Sequence, residues 1–258
     1  MPLSSFQKEV LALLASNRNP ESYVAGAAIV NMTPQSPRFS RDIDIFHDPQ
    51  TSVAISSQAD INVLRAHGLQ VELLLQRPSF VRASVKNALE GVKLEWAIDT
   101  AFRFFPVVRD PVFGYRLHEI DAAINKSLAL AGRTEIRDVI DMLTIHDTLL
   151  HLGACCWAAC GKDPGFTPDL ILELISRNAR MSPDLLAQQI LAEPIDPKKI
   201  KLRWIAALRD AHDLIQKMNP EELGCLYINS KGEVSHTPQP KDKPHFGSVR
   251  GCWPVMVD

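Results

Sequence analysis

The sequence predicts an α+β protein in which a mixed sheet flanked by helices comes first and an α-helical domain follows. Apolar and polar residues alternate with a period of two over residues 42–46 and again over 92–98, which predicts strands. From about Leu117 onward, apolar residues recur at helical spacing instead. We expect a first domain over residues 1–115, a helical domain over 116–222, and a hairpin with a C-terminal tail over 223–258.

Local signals give the boundaries of the elements in the first domain. Ser4-x-x-Gln7 is a capping box, Gly26 allows a tight turn, and Asp48 before Pro49 is typical of a helix start. The predicted elements in chain order are a helix over 5–17, a strand over 23–25, a helix over 27–32, the strand that contains residues 42–46, a helix from 49 to about 67, and strands over 69–76 and 92–98; residues 80–88 are ambiguous by period.

The second half of the chain contains several sequence signals for the start of a helix. A capping side chain stands directly before a first-turn proline at Thr167-Pro168, Ser182-Pro183 and Asp196-Pro197. An earlier helix covers about 119–130, and Thr134 is the expected cap of the next one. Near the C-terminus, residues 229–232 separate two apolar segments and predict a hairpin.

Composition limits the class of protein. The 258 residues are 46% hydrophobic, enough to build cores, and the formal net charge of -2 restricts nucleic-acid binding to a local patch. The chain begins without a signal-peptide pattern and has no apolar run long enough to cross a bilayer. Three of the five cysteines crowd residues 155–160 without Cys-x-x-Cys spacing, which favours reduced, buried thiols. We expect a cytoplasmic protein with no membrane partner.

Asp42 and Asp44 form the centre of the candidate site. In a strand they share one face, while Ile43 and Ile45 share the other. Neighbouring carboxylates repel each other, so the pair requires a counter-charge, which divalent cations supply. The alternative is an ordinary solvated strand face.

The segment before this strand favours the metal interpretation. A strand, the turn at Gly26 and the start of a helix form an anion site from backbone N–H groups. Phosphates on one side and carboxylates on the other predict a nucleoside triphosphate bound with Mg²⁺ or Mn²⁺.

A third carboxylate could come from the strand over 92–98. Glu95 and Asp99 fall on one face of it by the period of two, with Glu95 in mid-strand and Asp99 at the end, and we favour Glu95. The alternative for both is a charged outer face on which Lys93 pairs with Glu95.

Cations in the helical domain are further candidates. Lys126 lies on a largely apolar helix and could reach a triphosphate across a cleft between the domains, or it could extend to solvent. Arg137 and Asp141 have i,i+4 spacing and could simply pair. The helix after Pro197 is dense in cations and could contact a polyanion, or it could present a solvated face. Its cations are Lys198, Lys199, Lys201, Arg203 and Arg209.

The joint order of these parts resembles the AbiEii/AbiGii-type toxin nucleotidyltransferases of the DNA-polymerase-beta-like superfamily. The resemblance covers residues 20–145 and rests on Ala25-Gly26-Ala27-Ala28-Ile29, on Arg38-x-Ser40-x-Asp42-Ile43-Asp44-Ile45-Phe46, and on Lys126 followed by Arg133, Arg137-Asp138 and Asp141. It implies a nucleotidyltransferase fold and Mg²⁺-dependent transfer of a nucleotide to an acceptor hydroxyl, in some members the 3′ end of tRNA. It also implies a toxin-like role with an antitoxin partner.

The resemblance implies roles for individual residues. The metal ligands would be Asp42, Asp44 and Glu95, with Asp99 as the other candidate acid and Lys126 as a catalytic or triphosphate contact. The nucleotide-binding residues would be Ala25, Gly26, Ala27, Arg38, Ser40, Arg41, Lys126, Arg133 and Arg137. The turn departs from the family pattern, because Gly-Gly-Thr or Gly-Ser is usual where Ala25-Gly26-Ala27 stands here. Two alternatives remain: a small-molecule nucleotidyltransferase of the antibiotic-modifying kind, and a non-catalytic nucleotide- or partner-binding protein on the same fold, which the altered turn supports.

Overall fold

The computed structural model describes residues 3–32, 36–40, 42–49 and 52–254. The chain divides into two units. The first comprises Met1–Pro34, Phe39–Ala101 and Pro106–His118, and the second comprises Gln35–Arg38, Phe102–Phe105 and Glu119–Asp258.

Strands occur in both units. In chain order they are β1 (Ser22–Ala25), β2 (Asp42–His47), β3 (Gln70–Arg77), β4 (Phe80–Lys86), β5 (Gly91–Ile98), β6 (Phe102–Arg103), β7 (Val108–Asp110), β8 (Gly114–Arg116), β9 (Leu226–Ile228), β10 (Lys243–His245) and β11 (Ser248–Val249). Within the described residues, the first unit has a seven-stranded sheet in the order β3-β4-β5-β2-β1-β8-β7. Strand β2 runs parallel to β5 and antiparallel to β1, so the sheet is mixed.

Three helices belong to the described part of the first unit: α1 (Ser5–Leu14), α2 (Ala27–Val30) and α3 (Val53–Ala66). One face of the sheet is buried, and Ile43, Ile45 and Trp96 are fully inaccessible there. Asp60 of α3 is buried on the same side, where its carboxylate accepts hydrogen bonds from the indole of Trp96 at 2.7 Å and from the guanidinium of Arg18 at 2.6 Å. The apolar sides of β2 and β5 therefore form the core, and their charged sides are left on the other face.

The second unit is built mainly from helices. They are α4 (Glu119–Gly132), α5 (Ile136–Thr148), α6 (Leu152–Lys162), α7 (Pro168–Asn178), α8 (Pro183–Ala187) and α9 (Pro197–Ile215). The short strand pairs β9 with β10 and β6 with β11 lie in the same unit. The predicted α+β class, with a mixed sheet flanked by helices and a helical region after it, is confirmed.

Most of the local helix signals are confirmed. Ser4 and Gln7 form the capping box at the start of α1. Thr167, Ser182 and Asp196 each accept a backbone N–H at the start of a helix whose first residue is proline. The ambiguous residues 80–88 contain β4.

Two predicted helix starts are wrong. The N–H of Asp48 donates to Glu21 O at 3.0 Å, so the backbone is still held in the β1–β2 pairing, and α3 begins later with Ser52 as its cap. Thr134 lies one residue too early, because Glu135 is the extended residue directly before α5 and makes no side-chain cap.

The remaining differences are small. Helix α2 ends at Val30 instead of residue 32, and β5 begins at Gly91 instead of residue 92. The turn over 229–232 is present, but Val234 makes only an isolated bridge to Ile228, and β9 pairs with β10.

In the part of the chain that the structure describes, no single helix is long and apolar enough to cross a bilayer. Helices α5 and α6 meet that criterion only together, and they are bent by 109° relative to each other.

Candidate active site

The Asp-x-Asp segment is strand β2, as predicted. Ile43 and Ile45 are buried, and Asp42 and Asp44 are half-buried on the opposite face. The period of two therefore places both carboxylates on the same side of the sheet.

Asp44 lies between the turn after β1 and the strand that carries Glu95. It is opposite Ala25 in the antiparallel β1–β2 pairing and opposite Glu95 in the parallel β2–β5 pairing. Neighbouring strands of a sheet lie about 4.7–4.9 Å apart, so the side chains of Asp44 and Glu95 are neighbours on this face. Of the two candidates for the third acid, Glu95 is the one in register with Asp44.

Gly26 is required by the position of Asp44. Its backbone has φ 66° and ψ -150°, a conformation that is essentially restricted to glycine. A Cβ added to residue 26 would overlap Asp44 Oδ2 and lie 2.6 Å from Asp44 Cγ. No side chain caps the N-terminus of α2, which starts at the next residue. The backbone of this turn therefore lies directly against the carboxylate of Asp44.

The sheet face that carries Asp42, Asp44 and Glu95, which we call the acidic face, is partly neutralised by two cations. Lys93 Nζ is 3.2 Å from Asp42 Oδ1, and Arg82 Nε donates to Glu95 Oε1 at 2.8 Å. The alternative in which Lys93 pairs with Glu95 is wrong, because each of these two residues has a different ion-pair partner. Sequence reasoning missed Arg82 because the period of residues 80–88 was ambiguous; once β4 is placed beside β5, Arg82 and Glu95 are register partners.

Asp99 lies just beyond the end of β5. Its N–H donates to His47 O at 2.9 Å, and its Oδ1 accepts the N–H of Thr100 at 2.8 Å. This second contact ties the carboxylate of Asp99 to the backbone that follows β5.

The donor set of this face fits a hard divalent cation. Among the described residues, no three His, Cys, Asp or Glu side chains are grouped as a ready-made metal site. Mg²⁺, however, is commonly bound by one or two carboxylates together with substrate phosphates and water. Asp42 and Asp44, with Glu95 beside them, supply such carboxylates next to a turn of backbone N–H groups.

Ser40 and Arg38, which precede β2, have structural partners. Ser40 Oγ donates to Asp42 O at 2.8 Å, and Ser40 O accepts a hydrogen bond from Gln7 Nε2 at 2.8 Å, so Ser40 helps to fix the start of the acidic strand. Arg38 belongs to the second unit, where its guanidinium donates two hydrogen bonds to Asp141, at 2.8 and 2.7 Å. Arg41 lies outside the described residues.

Lys126 belongs to a buried ion cluster in the second unit. Its Nζ is 2.9 Å from Asp138 Oδ1 and 3.1 Å from Asp141 Oδ2, and Arg133 Nε donates to Asp138 Oδ2 at 2.8 Å. We call Arg38, Lys126, Arg133, Asp138 and Asp141 the buried ion cluster. Arg137 lies next to it along α5, with its Nε 3.7 Å from Glu135 Oε2.

The protonation states in the buried ion cluster follow from its opposing charges. Burial works to lower the pKa of Lys126, but the carboxylates of Asp141 and Asp138 outweigh it and raise that pKa. Burial works to raise the pKa of Asp138, but Lys126 and Arg133 lower it to about 2. The pKa of Asp141 is lowered in the same way by Lys126 and Arg38. All these groups are charged at neutral pH, and Lys126 is a structural ion-pair partner whatever else it contacts.

Comparison with known proteins addresses the fold. No protein-family model matches the chain, and no curated protein does. The solved structure of a Helicobacter pylori protein provisionally described as a nucleotidyltransferase aligns with a TM-score of 0.50 and 16% identity, over 83% of this chain and 97% of that one. At this identity the likeness establishes the fold alone.

Two further structures align with TM-scores of 0.48. They are JHP933 from H. pylori, at 17% identity over 83% of this chain and 95% of that one, and MenT4, a nucleotidyltransferase toxin of Mycobacterium tuberculosis H37Rv, at 12% identity over 84% and 83%.

Proposed function

We propose that this chain is a Mg²⁺- or Mn²⁺-dependent nucleotidyltransferase. The observation that supports it best is the position of Asp44, packed against the Gly26 turn on one side and opposite Glu95 on the other. Glycine at position 26 lets the turn lie directly against a half-buried carboxylate. A site that binds a metal and a phosphate together needs backbone donors and a carboxylate this close to each other.

In the proposed reaction, an acceptor hydroxyl attacks the α-phosphorus of a nucleoside triphosphate and displaces pyrophosphate. The backbone around Gly26 would hold the β and γ phosphates, and Asp42, Asp44 and Glu95 would hold the metal. When bound, the metal neutralises phosphate charge and lowers the pKa of the attacking hydroxyl. A carboxylate of the acidic face accepts the hydroxyl proton. The missing hydroxyl at Ala27 removes one phosphate contact and leaves the backbone donors.

The acceptor we propose is RNA, in the form of a tRNA 3′ end, and the role is that of a toxin with a cognate antitoxin. The helix α9 supports a polyanion contact, because Lys198, Lys199 and Lys201 are all exposed at its start. Arg203 contributes less, since it is already ion-paired with Asp147. With a net charge of -2, affinity would depend on a few phosphate contacts and would fall with added salt.

A second candidate function is non-catalytic binding of a nucleotide or a partner on the same fold. The specific observation in its favour is that Lys93 and Arg82 already pair with Asp42 and Glu95. A protein that had lost catalysis would keep its acidic face stable in this way without a metal.

The deciding experiment incubates the purified protein with each of the four α-labelled nucleoside triphosphates, Mg²⁺ and total cellular RNA, and resolves the products on a gel. We expect label in RNA, together with release of pyrophosphate, and neither with Asp44→Asn. Label confined to low-mass material would support a small-molecule acceptor. Nucleotide binding by a folded, partner-free protein without pyrophosphate release would support the second candidate.

A further inference from the structure

Residues 241–254, the last of the described residues, present aromatic rings to solvent in a segment that also contains several cations. It contains β10 and β11. Phe246 is 51% exposed and Trp253 is 57% exposed. We call this segment the C-terminal aromatic patch. Single exposed apolar side chains are common on protein surfaces, but here two large rings occur in one short segment together with several cations.

The C-terminal aromatic patch is held in place by residues 102–105 of the same unit. The ring of Phe105 is stacked on His245 at 5.1 Å and contacts Trp253 at 5.7 Å between centroids. Phe104 O accepts hydrogen bonds from His245 Nε2 at 2.9 Å and from the N–H of Cys252 at 3.2 Å. The backbone that carries the two exposed rings is therefore held by hydrogen bonds, so binding a ligand would cost little conformational entropy.

The charge of the patch is opposite to that of the chain as a whole. Residues 241–254 include three exposed cations, Lys241, Lys243 and Arg250, and one carboxylate, Asp242, whereas the whole chain has a net charge of -2. The patch is thus a local basic surface of the kind that an overall acidic protein needs for binding a polyanion.

The backbone of Arg250 is in an unusual conformation. Its φ is 65°, and among the described residues no other residue except glycine has a positive φ. The turn that holds it is closed by the N–H of Gly251 to Ser248 O at 3.1 Å. This conformation is unfavourable for a residue with a Cβ, and such strain tends to occur where it serves a ligand.

We infer that the C-terminal aromatic patch binds single-stranded RNA, with bases stacked on Trp253 and Phe246 and phosphates contacted by Lys241, Lys243 and Arg250. Exposed rings interleaved with cations are the usual construction of sequence-tolerant single-strand sites, because every base offers a π-face. The combination of rings and cations favours RNA over an acidic protein partner, because each ring offers a stacking surface for a base and each cation offers a contact for a phosphate. Only the purpose of the contact, delivery of an RNA acceptor, rests on the proposed function.

The fluorescence of Trp253 gives a direct test. Of the four tryptophans, Trp96, Trp157 and Trp204 are at most 4% exposed, so Trp253 dominates any quenching by a surface ligand. The full chain is titrated with an oligouridylate of about a dozen nucleotides, a length within the range that single-strand sites cover, without nucleoside triphosphate or metal. Tryptophan fluorescence and the anisotropy of a labelled oligonucleotide are followed together.

We expect saturable quenching and binding that weakens with salt. Trp253→Leu and Phe246→Leu should each weaken binding about tenfold, whereas Trp253→Phe should retain it. Arg250→Gly, which also relieves the backbone strain, should bind more weakly with a smaller salt dependence. Leu89→Ala, at a 92% exposed residue between β4 and β5, is the matched control and should bind normally.

Three results would overturn the inference. They are an absence of saturable binding by the folded protein, unchanged affinity in both ring-removing variants, and equal affinity for a polyglutamate peptide. Asp44→Asn separates this inference from the proposed function, because it should abolish nucleotide transfer and leave oligouridylate binding unchanged. RNA binding by a protein that transfers no nucleotide would refute only the proposed function.

Discussion

The carboxylate of Asp44 occupies the space in which a side chain at residue 26 would lie. A Cβ there would approach Asp44 Cγ to 2.6 Å, and the backbone of Gly26 has φ 66° and ψ -150°. The turn after β1 and the acidic strand β2 can therefore approach each other this closely only with glycine at position 26. This relationship links the predicted phosphate turn to the predicted metal ligand.

Gly26→Ala should damage both stability and function. We expect a loss of about 3 kcal/mol or more in the free energy of unfolding, because strain and overlap add. Gly68→Ala is the matched control: its φ is 79° with no atom near the added Cβ, so the cost should be about 1 kcal/mol. Urea unfolding and pyrophosphate release measure the two effects. Equal losses for both variants would show that Asp44 is not packed on Gly26 as described.

The carboxylates should rank in a definite order. Asp44→Asn and Glu95→Gln should each lower the rate of nucleotide transfer by about two orders of magnitude or more, because each removes a metal ligand. Asp99→Asn should weaken transfer mildly, since Asp99 lies beyond β5 and its carboxylate accepts the N–H of Thr100. Single-turnover rates with circular dichroism as the folding control test this. A larger loss for Asp99→Asn than for Glu95→Gln would transfer the role of third acid to Asp99.

The acidic face could be predicted from sequence because its cause is local. Alternation alone places Asp42 and Asp44 on one face, and it does so for any strand. The opposition of Asp44 and Glu95 could not be predicted, because it depends on strand order and register between segments about fifty residues apart.

The same limit applies to the buried ion cluster. Arg38 and Asp141 are separated by 103 positions, and nothing near either residue indicates the other. Lys126 was predicted as a substrate contact from its type and position, but its two carboxylate partners lie on the next helix. Long-range ion pairs carry no period and no local composition by which they could be recognised.

His151 should make the second unit sensitive to mild acid. Burial, followed by the charges of His146 and His236, lowers its pKa to about 4 against the partial opposition of Asp210. Its Nδ1 accepts the N–H of Gly153 at the start of α6, so protonation removes the cap. The unfolded chain takes up this proton from about pH 6.5 downward, so stability should fall between about pH 6.5 and 4.

His151→Asn keeps a capping acceptor and removes the titration, so it should reduce this loss of stability. Part of the dependence of stability on pH should persist, because burial and the charge of Arg18 also lower the pKa of His47 in the first unit to about 4. Thermal unfolding across this pH range measures the difference. Parallel curves for the variant and the wild type would contradict the assigned role of His151.

Lys126→Met should destabilise the protein by about 3–5 kcal/mol, because it leaves buried carboxylates without one of their cations. The exposed Lys201→Met is the control and should change stability little.

In the wild type, the lowered pKa of Asp138 contributes stability that is complete above about pH 4 and is lost as pH falls through about 2. Lys126→Met should flatten this acid-side dependence in denaturant melts, since the carboxylate then has less cation charge to lower its pKa.

A double variant separates the structural role of Lys126 from the predicted contact with triphosphate. Lys126→Met with Asp138→Asn removes one charge of each sign from the buried ion cluster, so most of the stability should return. If Lys126 also contacts the substrate, the stable double variant should still transfer nucleotide poorly. Asp138→Asn alone is the reference for the loss of the carboxylate. Recovery of transfer together with stability would make Lys126 a purely structural residue and would remove it from the candidate active site.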